Sequence, residues 1–554
     1  MQASKTKAWT TIFFFVGLLL FIWLNFAPPG GGEQNPIEPA KVISKTEASL
    51  KAAAFMHEQF GKGDWEAFAS YDTYVDAQGY MTKEKLEQDF DTYWLASVPA
   101  DYYRVMVKNT SNKTYYSVLI KLADGAVFGY ERLETPFDLV LPEQQADAAA
   151  MLSHMGYNAN QFTVEDDPSG NAFVFRHNRQ VGDASLSIQI RMAGGEIAAL
   201  LPVIDVPEDF ITWKDTQDNK GAITSIVSLL LWFCLAIAAI VYMVVYRATM
   251  SFGRGVWLTL GFLVPYLIHN VNMYPGYKLS TGTEDLAPLF IILFSQFIMI
   301  LMAASVYVCL VAGDGLWHRM GFNLWPSHRE IEFGKHVMRA VGIGYVFCVI
   351  ILGLQTTLFY LAGELFDVWF GTDPLQSSLN LLWPSLYPLL SWSASISEEA
   401  VFRIFAIAFF IVLLRPVWRW VSRLTGRPIW LHPLFYLLPA ILLANVLWAL
   451  GHTSYSIYPV YTRLVEVTIL GFVFAYIFLR YGLIAAIFTH ATLDIVIMSL
   501  ELISSGERYA GIGFLYMLMP LAIGLLVLLF STFRKKNPPA SSERLELDPP
   551  PTLP

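Results

Sequence analysis

At 554 residues, with 55% hydrophobic and 15% charged side chains, the chain is too long and too apolar to be one soluble domain. Its formal net charge of -9 originates in one stretch, 28–220, which carries about 29 acidic against 16 basic side chains. No phosphate loop, nucleotide fingerprint or Cys/His zinc spacing occurs, and no nucleic-acid partner is expected.

About 20 apolar residues cross a hydrocarbon core of roughly 30 Å. Mainly apolar stretches of that order fall near 8–27, 222–246, 255–271, 286–312, 338–362, 393–414, 431–452, 460–479, 482–502 and 512–533. The pattern predicts an α-helical polytopic membrane protein of about ten transmembrane helices with an α+β domain inserted after the first. Residues 1–27 read as a retained anchor, because Asn25, Phe26, Ala27, Pro28, Pro29 and Gly30 offer no small-residue cleavage pattern. Lys5 and Lys7, Arg247 and Arg254, Arg319, Arg329 and Lys335, Arg415, Arg419, Arg423 and Arg427, Arg480, and Arg534, Lys535 and Lys536 all fall on one side of a ten-span arrangement. Positive charge is retained in the cytoplasm. The expected protein is therefore a multi-pass plasma-membrane protein with both termini cytoplasmic and 28–220 extracytoplasmic. Cys234, Cys309 and Cys348 all lie in expected spans, where they act as small hydrophobes and leave the outer domain without a disulfide.

Residues 28–220 open with a Gly/Pro-rich linker and then predict helices at 46–60 and 82–93, strands at 102–108, 115–122 and 126–133, a helix at 143–154, and strands at 161–165, 172–177, 185–192 and 196–202. Asp124-Gly125 and Gly194-Gly195 occupy equivalent hairpin turns, so helix followed by antiparallel strands occurs twice. The arrangement resembles two PepSY-like repeats, and that likeness implies a domain that binds a regulator or a substrate. Spans two to five then occupy 221–375, a further helical core 376–533, and a tail, 534–554, whose Pro, Ser and Glu content predicts disorder.

Chemistry concentrates in the core. Glu398, Glu399 and Arg403 lie in one expected span, His452 follows Trp448 by four residues, and His490 precedes Asp494 by four. Ionisable groups in hydrocarbon cost at least about 2.5 kcal/mol each, so six in neighbouring spans need a purpose. In an α-helix Glu399 and Arg403 share a face and pair, while Glu398 projects elsewhere and stays available. Asp494 is placed to hold the His490 imidazole in one tautomer. His269, Asn270 and Glu466 match no such set and are expected to be structural, Glu466 with Arg463 or the bundle interior.

EExxxR, aromatic-xxx-His and HxxxD, in this order on successive apolar segments over about 380–500, resemble the CPBP family of intramembrane proteases, the ABI-type group that includes CAAX prenyl proteases and bacteriocin-processing enzymes. The resemblance implies an intramembrane endopeptidase acting on a membrane-associated peptide or protein. It implies Glu398 as the base that activates water, His452 as its partner, His490 and Asp494 as support for the oxyanion, and Glu399, Arg403 and Trp448 as structural neighbours. Trp448 stands where the family more often has Phe, and Ile404 where many members have Gly. Whether the enzyme is a glutamate protease or a metalloprotease stays open; Glu398, His452 and His490 are the candidate ligands for Zn²⁺, and metal-free activation of water is the favoured expectation, because no HExxH pairing is present.

Two other classes compete. A non-proteolytic regulatory or sensor scaffold would keep the fold without turnover, and a transporter would use the same residues as a proton relay, although no inverted repeat of broken helices is seen. The charge pattern places the key groups toward the outer leaflet, so cytosolic prenylated CAAX chains are not the expected substrate.

Overall fold

The computed structural model describes residues 2–26, 42–61, 63–330, 332–426, 433–504 and 507–536. The linker up to residue 41, Arg427 and the tail from 537 lie outside the described residues. Helix α1, Gln2–Phe26, is apolar over Ala8–Asn25.

A sheet-rich region follows. Helix α2, Lys45–Phe60, starts where the Ser44 side chain accepts the Glu47 N–H at 3.1 Å, and ends at Gly61 in a left-handed conformation. Next come β1 (Trp65–Thr73), α3 (Val75–Glu84), α4 (Glu87–Tyr93), β2 (Asp101–Asn109), β3 (Tyr115–Lys121) and β4 (Val127–Arg132), then α5 (Gln145–His154), β5 (Phe162–Glu165), β6 (Ala172–His177), β7 (Ser185–Ala193) and β8 (Glu196–Asp205). They form one eight-stranded sheet in the order β1-β2-β3-β4-β8-β7-β6-β5. It consists of two helix-plus-four-strand meanders joined through their last strands, with Tyr130 opposite Leu200 and Glu131 opposite Ala199. Gly125, at φ +73°, turns β3 into β4, and Gly194 and Gly195, at +64° and +80°, turn β7 into β8.

Two readings of this region change. Strand β1 has no counterpart among the sequence expectations, because its alternation is blurred: Ser70 and Tyr71 are buried against other parts of the chain. The single helix expected at 82–93 is two short ones, broken at Lys85 in the left-handed conformation.

Helix α6, Glu208–Val245, leaves the sheet directly and runs on into the bundle, so the boundary expected at 220 falls inside one continuous helix. The bundle continues with α7 (Val256–Asn272), α8 (Tyr274–Thr281), α9 (Ala287–Arg319), α10 (Phe333–Phe366), β9 (Trp369–Phe370), α11 (Leu390–Glu398), α12 (Ile407–Thr425), α13 (Pro433–Leu450), β10 (Ile457–Tyr458), α14 (Tyr461–Tyr481), α15 (Leu483–Ser504), α16 (Glu507–Met517) and α17 (Met519–Lys536). Among the described residues seven helices are long and apolar enough to cross a membrane, or up to nine if α7 with α8 and α16 with α17, bent by 45° and 46°, each count as one span. In the expected span at 431–452 the apolar helix is the shorter Phe435–Leu450, outside that count of seven to nine.

The sheet is seated on the bundle through its free edge. Asn380, fully buried, uses its amide to pair with the backbone of β1: Oδ1 accepts the Tyr71 N–H and Nδ2 donates to the Tyr71 carbonyl, both at 2.7 Å. Ser70 Oγ donates to the Pro275 carbonyl at 2.8 Å, and Lys45 donates to the Leu381 carbonyl. An edge strand that would otherwise offer bare hydrogen-bonding groups is thus covered by the bundle.

Candidate active site

Glu398 ends α11, and the chain continues not as an α-helix but as a π-helical stretch, Glu399–Ala406, before α12. Widened turns leave backbone groups without their usual partners. Here the Ile404 carbonyl accepts the Trp317 indole N–H from α9 at 2.8 Å. Gly313, one turn earlier on α9, permits this approach; a Cβ there would lie 2.7 Å from the Ile404 oxygen.

The six ionisable residues expected to form one site come together, in two layers. Glu399 and Arg403 are sealed, with side-chain exposures of 0% each and 7% for His490, whereas Glu398, His452 and Asp494 are 18%, 17% and 20% exposed. The Oε2 atom of Glu398 lies 3.8 Å from His452 Nε2 and 3.7 Å from His490 Nε2, and it accepts the Trp448 indole N–H. Asp494 Oδ2 is 3.5 Å from His490 Nε2. These separations exceed hydrogen-bond reach, so the groups can address a common third atom.

Two pairings differ from the sequence reading. His490 Nδ1 meets Glu399 Oε1 at 3.0 Å, so Glu399, more than Asp494, sets the orientation of this ring. Arg403 does approach Glu399, at 3.5 Å from Nε to Oε2, yet its three nitrogens make no hydrogen bond among the described residues. Its guanidinium lies 3.9 Å from the ring centre of Trp448 and 5.4 Å from that of Phe474. The cation is held mainly by aromatic faces, an arrangement that a four-residue spacing could not reveal.

His452 sits in the turn after α13. Its Nδ1 is 2.9 Å from the Trp448 carbonyl, which makes Nδ1 the protonated nitrogen of the neutral ring and turns an unprotonated Nε2 toward Glu398. The turn is gripped by α6: Thr453 Oγ1 lies 3.3 Å from the Gly221 carbonyl and also meets Thr224. Tyr455, absent from the sequence reading, stacks on the His452 ring at 5.9 Å and 16°, with Arg463 5.2 Å above it. Its only sequence signal is an aromatic residue three places after a motif histidine.

His269, Asn270 and Glu466 each meet a partner within the bundle. Glu466 takes Arg463 at 2.7 Å and Gln355 at 2.8 Å. His269 stacks against Tyr387, and Asn270 donates to Gln296. The candidate Zn²⁺ ligands Glu398, His452 and His490 stand with Oε2 3.8 and 3.7 Å from the two Nε2 atoms, and among the described residues no ready-made group of three or more His, Cys, Asp or Glu side chains for an ion is found.

Residues 380–496 fit the family described as Rce1-like, type II CAAX prenyl endopeptidase, a range that contains Glu398, Glu399, Arg403, Trp448, His452, His490 and Asp494. No curated protein and no solved structure matches the chain.

Proposed function

We propose that this chain, of which residues 380–496 match the Rce1-like family, is an intramembrane endopeptidase of the CPBP type whose water is activated by Glu398. The observation that carries the reading is a half-open set in which Glu398 Oε2 faces His452 Nε2 at 3.8 Å and His490 Nε2 at 3.7 Å, with Asp494 Oδ2 3.5 Å from His490 Nε2. Glu398 takes the proton of the attacking water through the carboxylate whose Oε2 faces His452 and His490. His452, with Nδ1–H spent on a carbonyl, presents an unprotonated Nε2 as an acceptor for the same water, and the proton taken by Glu398 passes to the leaving amine. His490 donates Nδ1–H to Glu399; to stabilise the oxyanion through Nε2 as well, the ring carries both protons, flanked by Asp494. The substrate is a membrane-associated peptide or protein.

In this reading the sheet-rich region lies on the extracytoplasmic side and controls access to the site, as a binding surface for substrate or a regulator. The topology is the ten-crossing one with both termini in the cytoplasm of a plasma-membrane protein. Helix α13, 18 residues and so about 27 Å long, then counts as a crossing. A reporter fused after residue 455 that reads as cytoplasmic overturns this orientation and restores cytosolic CAAX chains as the substrate class.

The deciding experiment uses the purified full chain in liposomes with a library of membrane peptides. Cleavage by wild type that falls about 10²-fold or more in Glu398→Gln, with folding intact, supports the proposal. Loss of cleavage with a chelator, regained on adding Zn²⁺, overturns the metal-free step. A well-folded wild type that cleaves nothing across the library favours the scaffold.

A further inference from the structure

Trp448 touches four members of the site, Glu398, Arg403, His452 and His490. Its indole N–H donates to Glu398 Oε2, one ring face carries the Arg403 guanidinium at 3.9 Å, and its edge meets His452 at 5.2 Å and His490 at 5.9 Å. Phe474 closes the remaining side at 5.7 Å, and Trp448 is 4% exposed. A purely apolar filler would need none of the polar handle. A buried indole N–H seeks a partner, and the acceptor found here is the carboxylate that does the chemistry in the proposed function.

We propose that Trp448 is the positioning residue for the general base. It fixes Oε2 of Glu398 toward the gap that this oxygen shares with the two imidazoles, and transmits to that carboxylate the fixed placement of the buried Arg403 charge. The inference rests on the protease reading and deepens it. The reasoning is geometric. A carboxylate at the end of a helix, 18% exposed, can rotate about its terminal torsion, which is broad and roughly two-fold. Neither imidazole restrains it, both lying beyond hydrogen-bond reach. The indole N–H is its only hydrogen bond among the described residues. Arg403, with no hydrogen bond of its own, cannot hold Glu398 directly and instead holds the indole plane. Removing the N–H while keeping an aromatic ring should therefore release the base without opening the site.

The test replaces Trp448 in the full-length protein by Phe, and separately by 3-benzothienylalanine, which keeps the bicyclic shape and lacks the N–H. Cleavage of the best library peptide should show kcat reduced at least about tenfold in both, with KM within about twofold. A packing role alone would spare the benzothienyl protein. In parallel, 6-fluorotryptophan placed at 448 is read by fluorine NMR in the wild-type background, in Glu398→Ala and in Asp494→Asn. The resonance should move in Glu398→Ala and stay in Asp494→Asn. Unchanged kcat in the benzothienyl protein, or a resonance indifferent to Glu398, overturns the proposal. If wild type cleaves nothing, the protease reading fails by itself, while the fluorine result still decides whether the indole holds Glu398.

Discussion

Arg403 is a full charge with no exposed surface and no hydrogen bond among the described residues, held between two aromatic faces and 3.5 Å from Glu399. Desolvating two ions is offset only when they remain paired, and removing one partner of a buried pair typically destabilises by about 3–5 kcal/mol. Arg403→Ala should therefore lower stability by about that amount, because it strands Glu399 and leaves a void beside Trp448. Adding Glu399→Gln to Arg403→Met should recover part of the loss, since both charges then leave together. Thermal unfolding of wild type, Arg403→Met, Glu399→Gln and the double variant in one detergent measures the cycle; a double variant as unstable as the sum of the singles contradicts the pairing. Glu399→Gln alone keeps an acceptor for His490 Nδ1 but leaves Arg403 uncompensated, so it should damage folding more than geometry.

At the scale of elements, the π-helical stretch Glu399–Ala406 decides where Glu399 and Arg403 point. It is stabilised from α9, where Gly313 admits the backbone of Ile404 and Trp317 satisfies its carbonyl. A methyl group at 313 would sit 2.7 Å from the Ile404 oxygen, so α9 or the π stretch must move. Gly313→Ala should lower stability by about 1–3 kcal/mol, in the range of overpacked cores, and should lower kcat more than it raises KM. The comparison is Gly342→Ala on α10, where a Cβ meets nothing within 4 Å. If both substitutions behave alike, the tight α9 contact does not govern the site. The two-residue pair β9 and β10 works at the same scale: Trp369 stacks on Tyr458 at 4.5 Å, joining the segment that leads to Glu398 with the one that follows His452.

In the whole molecule, the sheet region and the bundle share a seam close to both of these segments. Asn380 pairs with β1, and two residues earlier the Ser378 N–H donates to Glu501 on α15, the helix that carries His490 and Asp494. Asn380→Leu leaves the Tyr71 N–H and carbonyl buried without partners, each worth about 1–3 kcal/mol. Hydrogen exchange at Tyr71 should accelerate markedly, and cleavage should fall although Asn380 touches no reacting atom; exchange unchanged from wild type would contradict the clamp. A second attachment is electrostatic. Hydrogen bonds from Lys278 and then Lys108 hold the Asp285 carboxyl below its ordinary range. Its contribution is complete above the unfolded-state value of about 3.9 and is lost as pH falls through the lower folded-state value. Limited proteolysis of the seam at low salt should rise in that acid window for wild type, and Asp285→Asn should remove this pH dependence. Asp285 is 59% exposed, so salt should weaken the effect.

The polytopic helical class, most of the sheet-region strands, the paired glycine turns and the membership of the six-residue site were legible from residue order, because apolar length, period-two alternation and charge in hydrocarbon are local properties. What residue order could not contain were effects of distant surfaces. Strand β1 is buried by Asn380 and Pro275, more than two hundred positions away, so its own alternation is blurred. The π turn depends on a glycine and an indole of another helix, and it leaves Arg403 against Trp448 and Phe474 where an α-helical spacing promised a simple ion pair. The types of group at the site were thus determined by the sequence by itself. Which carboxylate orients His490, and which side chain donates a hydrogen bond to Glu398, were decided only by the tertiary structure, because hydrogen bonds need a donor within about 3 Å and that proximity is created by packing.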